Sequence, residues 1–91
     1  MTAEILIVLP SIHDVLAVED RVLAAGLWVD VLPKPTAIAN DCGMVLGCLA
    51  RDLEAFQTAV GDEGVVVVGV YRVQPDGYEE IHHARPTSIE G

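Results

Sequence analysis

Positive charge is scarce in this chain. Arg21, Lys34, Arg51, Arg72 and Arg85 are its only basic residues, against 14 acidic ones, and the formal net charge is −9. They are scattered along the chain. Nucleic acid and anionic membrane both need clustered positive charge, so neither is an expected partner. No apolar run approaches the ~20 residues of a membrane span. Met1-Thr2-Ala3-Glu4 lacks the positive start of a secretory leader. A cytosolic location is therefore expected. Cysteine is sparse too, with only Cys42 and Cys48. In the cytosol two cysteines are more readily thiols than a disulfide. Their C-x5-C spacing fits neither a zinc site nor a thioredoxin-type motif. On one extended strand their Cα atoms lie about 20 Å apart. A disulfide needs less than about 7 Å, so the two are not expected to pair. There is no P-loop, no G-x-G-x-x-G and no Ser-His-Asp arrangement. None of the signatures of a conventional enzyme is therefore present, and no cofactor is implied.

What is present suits one folded domain. The chain has 91 residues, 52% of them hydrophobic. That length corresponds to a single domain. It buries roughly 60–65% of its unfolded surface, enough for one modest core, and the apolar content argues against disorder.

Ile5 to Leu9 is continuously apolar and reads as a buried strand ended by Pro10. Ser11 precedes Asp14 by three residues, a capping-box-like start with Asp in place of Glu. Val15, Val18 and Val22 share one helical face, and Gly26 supplies the stop. The first helix is expected over Ile12 to Ala25. Leu27 to Leu32 reads as a second strand, ended by Pro33 and Pro35. Lys34 to Asp41 is long for a hairpin loop. Met44 to Leu49 is a third strand, where Gly43 and Gly47 indicate a bulge or a close backbone approach. Asp52 is placed to cap a second helix whose buried face carries Leu53, Phe56 and Val60, with Gly61 and Gly64 closing it. Val65 to Val73 is a fourth strand. Gln74-Pro75-Asp76-Gly77 is a turn, after which Tyr78 to His83 can pair back as a fifth strand. Residues 84–91 read as a loose tail.

The order β-α-β-β-α-β points to an α+β ferredoxin-like sandwich over residues 1–83. Its antiparallel sheet carries both helices on one face, in strand order 4-1-3-2, with an additional C-terminal strand allowed. Such a sheet usually alternates apolar and polar residues so that its open face meets water. Ile5–Leu9 and Val65–Val68 do not alternate. An apolar patch is therefore expected on the helix-free face, and a homodimer through that face is the simplest cover.

Cys42 is the residue most able to carry chemistry. It stands on a loop at the mouth of a strand, where a scaffold presents reactive groups, and Gly43 lets another molecule approach the backbone. The plainer reading is a small buried hydrophobe. Asp41 would raise its thiol pKa, and Lys34 is the only basic residue near it in sequence. Cys48, inside an apolar strand, reads as structural. His13 lies in the first helical turn with no ligating partner at i+3 or i+4. His82 and His83, adjacent in a strand, would point to opposite faces and make a poor metal pair. No metal site is expected.

The segments "LPSIHDVLAVEDRVLAAG" and "LPKPTAIANDCGMVL" together carry a strand, Ser-x-His, a helix and then Pro-x-Pro-x-x-Ile-x-x-x-Cys-Gly-x-x-Leu. That pattern resembles the putative selenium/sulfur carrier protein-like domain, a small bacterial family. The resemblance covers about residues 5 to 73, and its specific part is the Pro-x-Pro…Cys-Gly segment. It implies that Cys42 accepts sulfur or selenium as a persulfide or selenosulfide and hands it on, with a donor protein such as a cysteine desulfurase. Carried over by position, Ser11, His13, Pro33, Pro35, Ile38 and Gly43 are the accompanying binding residues. Thr36 and Gly47 stand where members of the family often carry Arg, which removes positive charge that could stabilise a thiolate. The alternative is a non-catalytic small-ligand-binding or regulatory oligomeric module with the 33–43 loop as its contact surface.

Overall fold

The computed structural model describes residues 1–38, 43–61 and 66–83. Their elements are β1 (Ile5–Val8), α1 (Ile12–Ala24), β2 (Asp30–Pro33), β3 (Met44–Cys48), a 3₁₀ turn (Ala50–Asp52), α2 (Leu53–Val60), β4 (Gly69–Gln74) and β5 (Gly77–His83). The five strands form one sheet in the order β2-β3-β1-β4-β5. Every neighbouring pair is antiparallel. The fold is α+β. β1 and β3 are interior, and the expected additional strand extends the sheet beyond β4. The expected tail, 84–91, lies outside the described residues.

Both helices cover the same sheet face. Val15, Val18 and Val22 of α1 and Phe56 and Val60 of α2 pack with Ile5, Ile7, Leu9, Leu46, Cys48 and Val70 in one buried cluster. Arg21 ties the helices together by donating from Nη1 to the Val60 carbonyl at 2.6 Å, which occupies an orphan acceptor at the end of α2.

Element boundaries follow from where backbone groups find partners. Ser11 caps α1 by accepting the Asp14 amide at 3.2 Å. Asp14 does not reach back to the backbone as a capping-box residue would. Its carboxylate instead accepts the Ser11 hydroxyl at 3.2 Å. At the other end, Gly26 (φ 81°) takes the left-handed position. The Gly26 amide donates to Leu23 and the Leu27 amide to Val22, the two bonds of a Schellman stop. The helix thus uses the Leu27 amide, and β2 begins at Asp30 rather than Leu27. β2 also runs through Pro33 instead of ending before it. It is an edge strand, where a missing N–H is tolerated.

Two further expectations are corrected. Asp52 makes no side-chain cap. The 3₁₀ turn runs straight into α2, and the Glu4 carboxylate accepts the Ala50 amide at 2.9 Å. A residue 46 positions away thus caps this start. The fourth strand begins at Gly69, not Val65. Its neighbour β1 pairs only as far as Val8 with Gly69, and Pro10 then turns the chain into α1. Val66 to Val68 lie outside the ladder, although Val68 still donates to the Val8 carbonyl at 2.8 Å.

The apolar face expected to lie open over β1 is covered from within the chain. Leu6 is 4% exposed, Val8 0% and Ile38 1%. Those three and Val45 form a second cluster, flanked by Ala3, Leu32, Val68 and Tyr71. The turn that follows β2 returns Ile38 onto the sheet, so β1 is buried on both faces without a second molecule. Gly47 makes this packing possible. A Cβ there would meet the Ala3 Cβ at 2.5 Å and Leu32 Cδ1 at 3.0 Å. Gly43, by contrast, has nothing within 4 Å of such a Cβ. We expect Gly47→Ala to destabilise the fold by about 1–3 kcal/mol, the usual scale of overpacking. Adding Ala3→Gly should recover much of the loss, since that change opens the nearest contact. Urea unfolding of both variants checks the coupling, and purely additive effects would contradict the packing account.

Candidate functional site

The strand registers bring three segments to one end of the sheet. Ile7 pairs with Leu46, so β1 leaves the sheet beside the first residues of β3. Pro33 pairs with Met44, so β2 ends there too. The entry to α1, the turn after β2 and the approach to β3 therefore meet at one rim. Of the residues singled out in the sequence, Ser11, His13, Pro33, Pro35, Ile38 and Gly43 all lie on these segments. Cys42 lies outside the described residues, immediately before Gly43.

Each of these residues has a definite place. Ser11 is occupied as the α1 cap. His13 is exposed in the first turn of α1. Pro33 closes β2, and Pro35 opens a tight turn in which the Ile38 amide donates to the Pro35 carbonyl at 3.1 Å. Ile38 is core and anchors that turn to the sheet. Gly43 is exposed.

Lys34 is the residue that sequence reasoning undervalued. Its amide donates to the Gly43 carbonyl at 2.8 Å. Its ammonium donates to the Ile38 carbonyl at 2.5 Å and to the Pro35 carbonyl at 3.3 Å. One residue thus holds both flanks of the 39–42 segment, and it brings a positive charge to the base of that segment in a strongly acidic chain. The available signal was that Lys34 is the only basic residue between Arg21 and Arg51.

The second thiol has the opposite character. Cys48 is free and fully buried, its side chain in the helix-side cluster. Burial pushes its pKa up to about 12, and the Asp52 and Glu4 carboxylates push in the same direction. A thiol held protonated is a poor nucleophile. The same shift links stability to pH. Above the unfolded value of 9.0 an unfolded chain ionises Cys48 while the folded chain does not. Stability must therefore fall as pH rises from there toward about 12. We expect Cys48→Ala to flatten that alkaline loss, and native Cys48 to resist alkylation at pH ~8 until the fold is unfolded. Denaturant titrations at several alkaline pH values and iodoacetamide labelling check both.

Among the described residues there is no group of three or more His, Cys, Asp or Glu side chains able to hold a metal ion. No helix among them is long and apolar enough to cross a membrane.

Comparison with known proteins adds one finding. The family described as "Putative Se/S carrier protein-like" matches residues 4–72. No curated protein and no solved structure matches the chain. The matched span runs from the residue before β1 into β4 and takes in both helices, the Lys34 clasp and both cysteines; the chain belongs to the Putative Se/S carrier protein-like family.

Proposed function

We propose that this chain carries sulfur or selenium on Cys42, as a persulfide or selenosulfide, on a ferredoxin-like sandwich extended by β5. The fold assignment is supported by the first four strands, which read 4-1-3-2 from one side of the sheet. The observation that carries the functional reading is the Lys34 clasp on Gly43 and Ile38, which fixes the roots of the segment holding Cys42. The Lys34 ammonium sits at one root of that segment, and a positive charge within reach of a thiol favours the thiolate. Cys48, buried and held protonated, is no competitor.

The transfer is redox-neutral. The Cys42 thiolate attacks the outer sulfur of a donor persulfide, such as that of a cysteine desulfurase. The donor's S–S bond breaks, its inner sulfur leaves as a thiolate with the bonding pair, and a new S–S bond joins the outer sulfur to Cys42. An acceptor nucleophile then takes that sulfur, and Cys42 leaves as a thiolate. Incubation with glutathione persulfide should add about 32 Da, one sulfur, to the wild type and to Cys48→Ala, and nothing to Cys42→Ser. An adduct confined to Cys48, or none, sinks the reading. Lys34→Met keeps the amide bond to Gly43 but loses the ammonium. It should raise the pKa of Cys42 alkylation from a value below the free ~8.5.

A second reading is a ligand-binding or regulatory module, and a cleft on the helix-free face favours it. The cleft measures about 370 Å³ and is lined mainly by Ala3, Leu6, Leu32, Pro35, Val73 and Tyr78. With β1 covered from within the chain, association of two copies through this face rests on the exposed rim of Val73 and Tyr78. Sedimentation at micromolar concentration should then give twice the chain mass, and Val73→Lys with Tyr78→Lys should restore the monomer. A wild-type monomer removes the homodimer.

A further inference from the structure

α1 carries a second apolar surface that the core does not use. Ile12 is 44% exposed, Leu16 50% and Leu23 52%. At about 100° per residue these three fall within roughly 40° of one another around the helix. They form a stripe along most of α1, set apart from the buried row of Val15, Val18 and Val22. The stripe lies about 140–180° around the helix from Arg21, which reaches α2. It therefore occupies the flank of α1 away from α2. Its first residue, Ile12, stands at the sheet end where the turn after β2 and Gly43 also lie.

The stripe is bordered by acid. Glu19 falls on one side of it in helical projection and Asp20 on the other. No basic residue falls within the stripe, and the whole chain is at −9. Charge decides between the occupants. A second copy laid antiparallel, with Ile12 against Leu23, would bring Glu19 and Asp20 of both copies together near the two-fold axis. Like charges so placed repel. A partner with an apolar ridge edged by Lys or Arg meets no such penalty and gains from complementarity.

We propose that the Ile12–Leu16–Leu23 flank of α1 is the docking face for a basic, apolar-ridged segment of the protein that exchanges sulfur with this chain; the partner's role, though not the surface, rests on the carrier reading. Docking there would bring a donor group to the rim from which Gly43 leads into β3, and would replace bimolecular encounter with a high effective concentration.

The probe is an amphipathic leucine-lysine helical peptide of 13 residues, the length of α1, with a scrambled peptide of equal charge as control. Binding is followed by fluorescence anisotropy at ~0.15 M salt, where weak long-range attraction is screened. The ordered peptide should bind the full chain at least ~10-fold more tightly than the scrambled one. Leu16→Glu with Leu23→Glu should abolish that preference, as should Glu19→Lys with Asp20→Lys, each variant keeping the wild-type circular dichroism. Cys42→Ser should bind like wild type. With a cysteine persulfide on its end, the ordered peptide should load Cys42 faster than glutathione persulfide does, an advantage lost in both α1 variants. Binding that survives while Cys42 fails to load keeps the docking face and removes the carrier reading. Equal affinity for both peptides, no binding, or no effect of the α1 variants overturns the docking face. So does a wild-type dimer that Leu16→Glu with Leu23→Glu turns into a monomer.

Discussion

The burial of β1 on both faces is the constraint from which the rest of the architecture follows. Ile5 to Leu9 are all buried. At roughly 1.5–3 kcal/mol for each large apolar side chain removed from water, these five account for about 8–15 kcal/mol gross. Net stabilities of small domains are only ~5–15 kcal/mol. Such a fold cannot leave either side of β1 wet. The helix pair, clamped by Arg21 on Val60, covers one side. Ile38, Leu32 and Tyr71 cover the other.

That second cover explains the loop after β2. The loop is long because it must return Ile38 onto the sheet before it can start β3. Lys34 then closes it, with its amide on Gly43 and its ammonium on Ile38 and Pro35. The prolines and the lysine thus serve the core and the candidate site together: the turn that shields Leu6 and Val8 also fixes both roots of the segment containing Cys42. Gly47 belongs to the same arrangement, since a side chain there would displace Ala3 and Leu32 from the cover.

The two cysteines show how position sets chemistry in one chain. Cys48 is sealed between sheet and helices with Asp52 and Glu4 nearby, and all three influences hold it protonated. Cys42 precedes an exposed glycine at the rim, with a lysine at the root of its segment. Membership of the Se/S carrier-like family directs attention to the latter. The acid-bordered flank of α1 gives that rim a neighbouring surface on which a macromolecular partner can rest.

The sequence by itself determined the elements and their order. β1 was legible because a continuous apolar run ended by proline allows little else. α1 was legible because Ser11, the valine spacing and Gly26 all agree on one helix. The β4–β5 hairpin followed from Pro75-Asp76-Gly77, and the burial of Cys48 from its apolar setting. The sequence could not show where hydrogen-bond partners run out. For that reason β2 and β4 start later than their apolar runs, at Asp30 and Gly69. It could not show that Glu4, rather than Asp52, caps the start of the second helical segment. Nor could it show that Ile38 turns inward to close the face expected to be open. Each of these depends on residues distant in sequence meeting in space. Local pattern fixes what a segment can become; only the tertiary structure decided which partner completes it.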